Sequence, residues 1–415
     1  MSLLGAWALW SSAVSALAVA VPTRPDNTWV PLAALPERLE SPVFAMAANP
    51  ADPQALLVGT GSGTIYRSAD GGASWTPVGH GMGRGVLTIQ FSPFAGGTVY
   101  AGTRSGGLWR SIDAGGTWAK LPGIPTTTVR SLGFAKSITL AGSDAGLFST
   151  HDGVSWAPYL SFAPLSLSAI AVAAVNDPPK FLAGADASKG DEVLPLYVSQ
   201  DGGGSWSNVK SLGSSTLVGA AAAGAAPPGA LSRPLVVGTN AGAFLSNDGG
   251  ATWAQEAGLP AVDFTSVAFT AAHPERFYLA SDGGGGAAGG IWATSDSGQT
   301  YRSLSAPVAG VTALALTAEE IPTVYSSTFR AIDHTVLLWA YRDAGGAPVA
   351  PTGGVVAPAA PVTAAAATAA SSTASGSFDV RALANGVEAP YIGLAVLSLL
   401  VLMFALVLQV RRGRD

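Results

Sequence analysis

Ser68-Ala-Asp70-Gly-Gly72-Ala-Ser74-Trp75 decides the fold, because it returns five more times along the chain. The pattern is Ser/Thr-x-Asp-x-Gly-x-Ser/Thr-aromatic. It recurs as Ser111-Ile-Asp113-Ala-Gly115-Gly-Thr117-Trp118, and in a version one residue shorter as Thr150-His-Asp152-Gly153-Val-Ser155-Trp156. Ser199-Gln-Asp201-Gly-Gly203-Gly-Ser205-Trp206 and Ser246-Asn-Asp248-Gly-Gly250-Ala-Thr252-Trp253 follow, and Thr294-Ser-Asp296-Ser-Gly298-Gln-Thr300-Tyr301 ends the series. From Asp to Asp the steps are 43, 39, 49, 47 and 48 residues, the period of a four-stranded propeller blade. Each residue type has a mechanical role in a tight turn. Asp and Ser/Thr side chains can hold backbone N–H groups, the glycine admits a positive φ, and the aromatic ring anchors the turn.

The surroundings agree with a turn between the third and fourth strands of a blade. Upstream of the boxes run strand-like segments such as Leu56-Leu-Val-Gly-Thr60, Val99-Tyr-Ala-Gly-Thr103 and Leu235-Val-Val-Gly-Thr239. Three further strands follow the sixth box and lack a fourth. Near the start, Asp26-Asn-Thr28-Trp29-Val-Pro-Leu reads as a box tail leading into an orphan fourth strand. Joining the two gives an all-β, seven-bladed propeller over residues 26–341, closed between its ends.

Composition removes other classes. Charged residues make up 11% of the 415, with a formal net charge of −5 and no cysteine. Soluble domains average roughly 25% charged residues. There is no disulfide framework, thiolate metal site or cysteine nucleophile. The mild acidity without a basic run argues against nucleic acid as a partner. No cofactor and no metal site is expected.

Both ends are apolar. Residues 1–21 resemble a signal peptide with a small-residue cleavage site at Ala18-Val19-Ala20, although no Lys or Arg precedes Arg24; an uncleaved anchor is the alternative. Residues 390–410 are interrupted only by Pro390, Ser398 and Gln409 within an apolar run, and Arg411, Arg412 and Arg414 follow. About 20 residues of helix cross about 30 Å of hydrocarbon, and the arginines fit a cytoplasmic tail at 411–415. Residues 342–389 are rich in Ala, Pro, Thr and Ser and are expected to form a stalk. The expected location is therefore a bacterial cell membrane, with one C-terminal transmembrane helix and the propeller on the extracytoplasmic side.

The repeated turns resemble the Asp-box, or bacterial-neuraminidase (BNR), repeat. It occurs in sialidases, xyloglucan-type glucanases, sortilin-type receptors and Ycf48/HCF136-like photosystem II assembly factors. The resemblance covers most of residues 26–341. It implies that Asp70, Asp113, Asp152, Asp201, Asp248 and Asp296 are structural, on the face opposite the usual active site. Sialidases also carry an Arg-Ile-Pro motif, and Phe329-Arg330-Ala331-Ile332 lacks it. Xyloglucan-type enzymes pair two propellers, and this chain has length for one. Sortilin-type receptors have ten blades and cysteine-rich modules. Size and blade count are most similar to the assembly factors.

The binding face expected from this layout carries the loops between second and third strands and the crossovers between blades. Its candidate residues are His80, Arg84, Arg104, Asp144, Asp186, Lys189, Asp191, Glu192, Asn240, Asp263, Asp282 and Arg330. The insertion Asp186-Ala-Ser-Lys-Gly-Asp-Glu192 is the most charged, so it is the first choice for a contact loop. No catalytic residue is assigned. The reading is a membrane-tethered, non-catalytic binding or assembly scaffold for protein or glycan. The alternative is a sialidase-like or glucanase-like glycoside hydrolase acting on extracellular polysaccharide, which would need two facing carboxylates on the binding face.

Overall fold

The computed structural model describes residues 24–159, 168–175, 180–186, 188–189, 192–193, 195–209, 212–225, 233–284 and 288–348. The expected signal peptide, the transmembrane helix, the cytoplasmic tail and the stalk from residue 349 onward lie outside the described residues. Among the described residues, no helix is long and apolar enough to cross a membrane.

Seven four-stranded antiparallel sheets follow one another along the chain. The first shows the plan: β2 (Ala45–Asn49), β3 (Asp52–Gly59), β4 (Ile65–Ser68) and β5 (Thr76–Gly79) pair in sequence order. β2 is its inner strand. The inner strands of blades 2 to 7 are β6 (Val86–Phe91), β10 (Val129–Phe134), β14 (Ser168–Val175), β20 (Val218–Ala223), β24 (Ser266–Phe269) and β28 (Val311–Leu316). The seventh blade adds β29 (Thr323–Arg330) and β30 (Thr335–Arg342), and its outer strand comes from the other end of the chain. β1 (Trp29–Pro31) pairs antiparallel with β30, Trp29 opposite Tyr341 and Pro31 opposite Trp339. The expected closure of a seven-bladed β-propeller is thus present.

The repeated turns have one hydrogen-bond design. In the first, Ser68 Oγ donates to Asp70 Oδ1 at 2.7 Å and accepts from the Gly72 N–H at 2.7 Å. Asp70 Oδ1 accepts from the Ser74 N–H at 2.9 Å, and Oδ2 from the Ser74 hydroxyl at 2.6 Å. The same contacts recur around Asp113, Asp201, Asp248 and Asp296, and around Asp152 in its shortened turn. Asp113 is held down to about 2, first by the Ser111 hydroxyl and then by the Thr117 N–H. The full-length turn demands more of the backbone than one permissive glycine. The residue before that glycine is also at positive φ, even where it is Ala114 (φ 55°) or Ser297 (φ 61°).

The aromatic residue of each turn does more than anchor its own sheet. Apolar cores fill the interfaces between successive blades, and each takes in one of these rings: Trp75, Trp118, Trp156, Trp206, Trp253, Tyr301 and, at the closure, Trp29. Each ring therefore packs against the preceding blade. The N–H of Trp29 donates to Leu304 O at 2.7 Å, which satisfies its polar atom inside the core.

The seventh blade has a turn of its own, split between the chain ends. Arg342-Asp343-Ala-Gly-Gly346 follows β30, and Asp26-Asn27-Thr28-Trp29 leads into β1. Asn27 N–H donates to Arg342 O at 2.8 Å, and Ala344 N–H donates to Asn27 Oδ1 at 3.1 Å. Gly345 and Gly346 are at positive φ, one position later after the aspartate than the equivalent pair in the intact turns. Asp343 departs from them. It is fully buried, and its carboxylate accepts from Tyr278 Oη at 2.7 Å and Arg302 Nη2 at 2.6 Å. The folded region thus reaches past residue 341 into the start of the expected stalk. Burial and the Asp343 charge push the Tyr278 phenol far above its ordinary range.

Candidate functional site

Seven inner strands leave a central channel, and the chain shapes its mouth with a repeated irregularity. In β6 the register with the second strand skips Leu87; in β10 it skips Arg130, in β20 Gly219 and in β28 Thr312. In β14 the skipped residue is Ile170. Such a bulge leaves one residue unpaired and re-aims it. Here Leu87, Arg130, Gly219 and Thr312 all reach a hollow of about 280 Å³, together with Phe44, Thr265, Ser266, Arg104 and Asp282. The hollow shares part of its lining with a second of about 230 Å³, where Thr88, Gln90 and Ser131 stand beside apolar Met46, Ile89 and Leu314. The hydroxyls of Ser131 and Thr265 are buried there without a hydrogen-bond partner in the described chain.

The expected binding-face residues divide into several groups. Arg104 and Asp282 line the mouth, one from the loop after the second strand of blade 2 and one from the equivalent loop of blade 6. Arg84 lies beside Arg104, its N–H donating to Arg104 O at 2.9 Å. Asp263 sits in the crossover into blade 6. A Cβ placed on Gly284 would stand 3.1 Å from Asp263 Oδ2 and 3.4 Å from Asp282 Oδ1, so the two carboxylates flank that glycine. Burial first, and the Asp282 charge second, push the Asp263 carboxyl above its ordinary value. Asp282 Oδ1 accepts from the Gly284 N–H at 3.0 Å.

Others are engaged in holding loops. Asp144 accepts from Arg130 Nε at 2.8 Å across the start of blade 3. Asn240 accepts from the Thr216 and Leu217 N–H groups at 3.0 and 3.2 Å and donates to Thr216 Oγ1 at 2.7 Å, which fixes the crossover into blade 5. Arg330 donates from Nε to Asp333 Oδ1 at 2.9 Å within its own hairpin. This ion pair holds Asp333 down to about 2. His80 is exposed beyond β5 and lines neither hollow.

The charged insertion of blade 4 forms a small hairpin, β16 (Ser188–Lys189) with β17 (Glu192–Val193), in which Lys189 and Glu192 are opposite each other. Asp186 ends the preceding strand, and Asp191 lies outside the described residues. Among the described residues, no group of His, Cys, Asp and Glu is arranged to hold a metal ion.

Sequence reasoning overlooked Arg130 and Phe44. Both follow a buried valine, Val129 at the start of β10 and Val43 two residues before β2, as Leu87, Gly219 and Thr312 follow the valines that open their strands. Aligning those starts across blades would have singled out this ring.

No protein-family model and no curated protein matches the chain. Solved structures do. The GH74 xyloglucanase from Xanthomonas campestris (Xcc1752) is 18% identical with a TM-score of 0.52, over 76% of this chain and 56% of that one. This chain therefore spans little more than half of that enzyme. YCF48 from Cyanidioschyzon merolae is 15% identical with a TM-score of 0.50, covering 75% of this chain and 98% of its own. YCF48 bound to D1 peptide gives 16% and 0.51, covering 78% and 100%. At these identities the likeness establishes the shared propeller fold.

Proposed function

We propose that this protein is a binding scaffold whose channel mouth holds a segment of a partner protein. The observation that carries the reading is the ring of bulges. One backbone device, repeated in blades 2, 3, 5 and 7, brings a different residue to the same hollow: Leu87, Arg130, Gly219 and Thr312. A rigid frame with variable residues at one end suits recognition, since little of the site must be ordered on binding. That YCF48 carries a bound D1 peptide and is covered over its full length by this chain adds support. The six repeated turns are, in this reading, Asp-boxes with a structural role. The protein would be displayed outside a bacterial membrane, tethered through a 349–389 stalk by a helix at 390–410.

The test is affinity capture from membrane extracts with the full chain, beside the double variant Arg104→Gln/Arg130→Gln. A partner retained by the native chain and lost by the variant supports the proposal. Equal retention by both would sink it.

A second reading rests on Asp263 and Asp282, a carboxylate pair beside a concave mouth with one member raised by burial. General acid catalysis in glycoside hydrolysis needs a raised carboxylic acid and a second carboxylate near it. The likeness to the GH74 fold makes xyloglucan the first substrate to try. Release of reducing ends that Asp263→Asn and Asp282→Asn both abolish would establish an enzyme in place of a scaffold.

A further inference from the structure

Resting on the reading of the mouth as a binding site, we infer that its ligand is a dipolar polypeptide segment, carrying an acidic group towards Arg104 and Arg130 and a basic group towards Asp263 and Asp282. The positive side is built on blades 2 and 3, and the negative side on the crossover and loop of blade 6. Those positions are three blades apart around a ring of seven, so the channel separates them.

The positive side is only partly neutralised from within, and the negative side is paired with no cation among the described residues. The guanidinium of Arg104 has no hydrogen-bond or ionic partner among the described residues, and it is exposed. Arg130 is paired only with Asp144, both side chains being 37% exposed. A pair so accessible to water contributes little and exchanges readily for a ligand carboxylate. Opposite, Asp263 and Asp282 repel one another, and no cationic side chain among the described residues is bonded to either. Arg104 and Asp282 thus line one hollow with opposite, unpaired charges, with Arg130 and Asp263 beside them, which suits a ligand that carries both signs.

The same arrangement rejects other ligands. A neutral glycan leaves both groups unpaired, and closing over it would strip water from charges it cannot compensate. A purely acidic segment meets Arg104 and Arg130 but carries negative charge towards Asp282. Repulsion on one side then supplies specificity beside attraction on the other. Phe44 and Leu87 line the same hollow and offer apolar contact for the stem of a long basic side chain.

The probes are end-blocked peptides containing one Asp and one Lys separated by one to four glycines, beside versions with Lys replaced by Gln or Asp by Asn. Binding to the full chain is measured by calorimetry at about 20 mM and about 500 mM salt, where screening differs several-fold in range. The best dipolar peptide is expected to bind at least tenfold tighter than either singly charged version at low salt, with the advantage much reduced at high salt. Asp282→Asn should erase the advantage over the acid-only peptide, and Arg104→Gln the advantage over the base-only peptide. Both residues are exposed, so circular dichroism is expected to show both variants folded. If acid-only and dipolar peptides bind alike and Asp282→Asn changes nothing, the dipolar inference falls while the mouth stands as a binding site. If no peptide binds and partner capture ignores the Arg104→Gln/Arg130→Gln change, both readings fall together.

Discussion

Asp343→Ala should be the most damaging single substitution among the acidic residues of the propeller. Its carboxylate is fully buried and accepts from Tyr278 Oη, Arg302 Nη2 and the Gly345 N–H, the last at 3.2 Å. Removing one member of a buried ion pair costs about 3–5 kcal/mol, because the remaining charge keeps its desolvation without its partner. The Arg302 side chain is 28% exposed and regains some water, which favours the low end of that range. Tyr278 Oη is left buried without its acceptor, which adds to the cost. A loss of about 3–4 kcal/mol follows. At about 2 °C per kcal/mol for a large domain, the melting temperature should fall by roughly 6–8 °C. Asp343→Asn keeps one acceptor oxygen, for Arg302 and the Gly345 N–H, and turns its NH2 towards Tyr278 Oη, which can accept from it, so about half of that loss is expected. The assay is urea denaturation followed by tryptophan fluorescence, together with hydrogen exchange. Because Asp343 lies in the turn that receives β1, amide protection over residues 27–31 should drop most. A loss below about 1 kcal/mol, or unchanged protection of β1, would refute the idea that this carboxylate locks the ring.

Acid should weaken the fold through the repeated turns. Asp113, Asp201 and Asp248 are each held down to about 2, so the unfolded chain takes up protons first as pH falls below about 4. The stabilisation is fully present above that range and is lost as pH drops through the folded values near 2; urea midpoints measured from pH 5 to 2 should fall steadily, with a smaller slope in Asp113→Asn. Asp282→Asn should bring the Asp263 titration down, yet leave it above the ordinary value, since burial is the larger cause. Carboxyl carbon NMR shifts would read this, and an unchanged Asp263 would contradict the closeness of the pair. Gly123→Ala should cost about 1–3 kcal/mol in urea denaturation, because Gly123 has φ 89° and a Cβ there would stand 2.3 Å from Trp156 O in the next blade.

The repeat period and the residues of the turns made the blades legible, since each turn is satisfied almost wholly by neighbours within a few residues. Blade number was legible too, because Thr28-Trp29 is recognisably the second half of a turn whose first half had to lie elsewhere. Asp343 was not recognised as that first half. The residue two before it is Tyr341 rather than Ser or Thr, and its carboxylate pairs across blades with Tyr278 and Arg302, 65 and 41 positions away. The same limit applied at the mouth. Strand order put Arg104 and Asp282 in loops that line the hollow, whereas Arg130 depended on a bulge that sequence spacing does not reveal.

What the sequence determined by itself was therefore local: turn chemistry, strand alternation, and the number of units that must close. Only the tertiary structure decided which charges share a hollow and which are consumed in holding loops. Arg104, Asn240 and Arg330 look equivalent along the chain, but Asn240 fixes a crossover and Arg330 is tied to Asp333. Arg104 alone of the three lines the mouth. The physical reason is that hydrogen bonds within a turn are set by a few neighbouring dihedrals, whereas the mouth is assembled by ring closure from residues far apart in sequence.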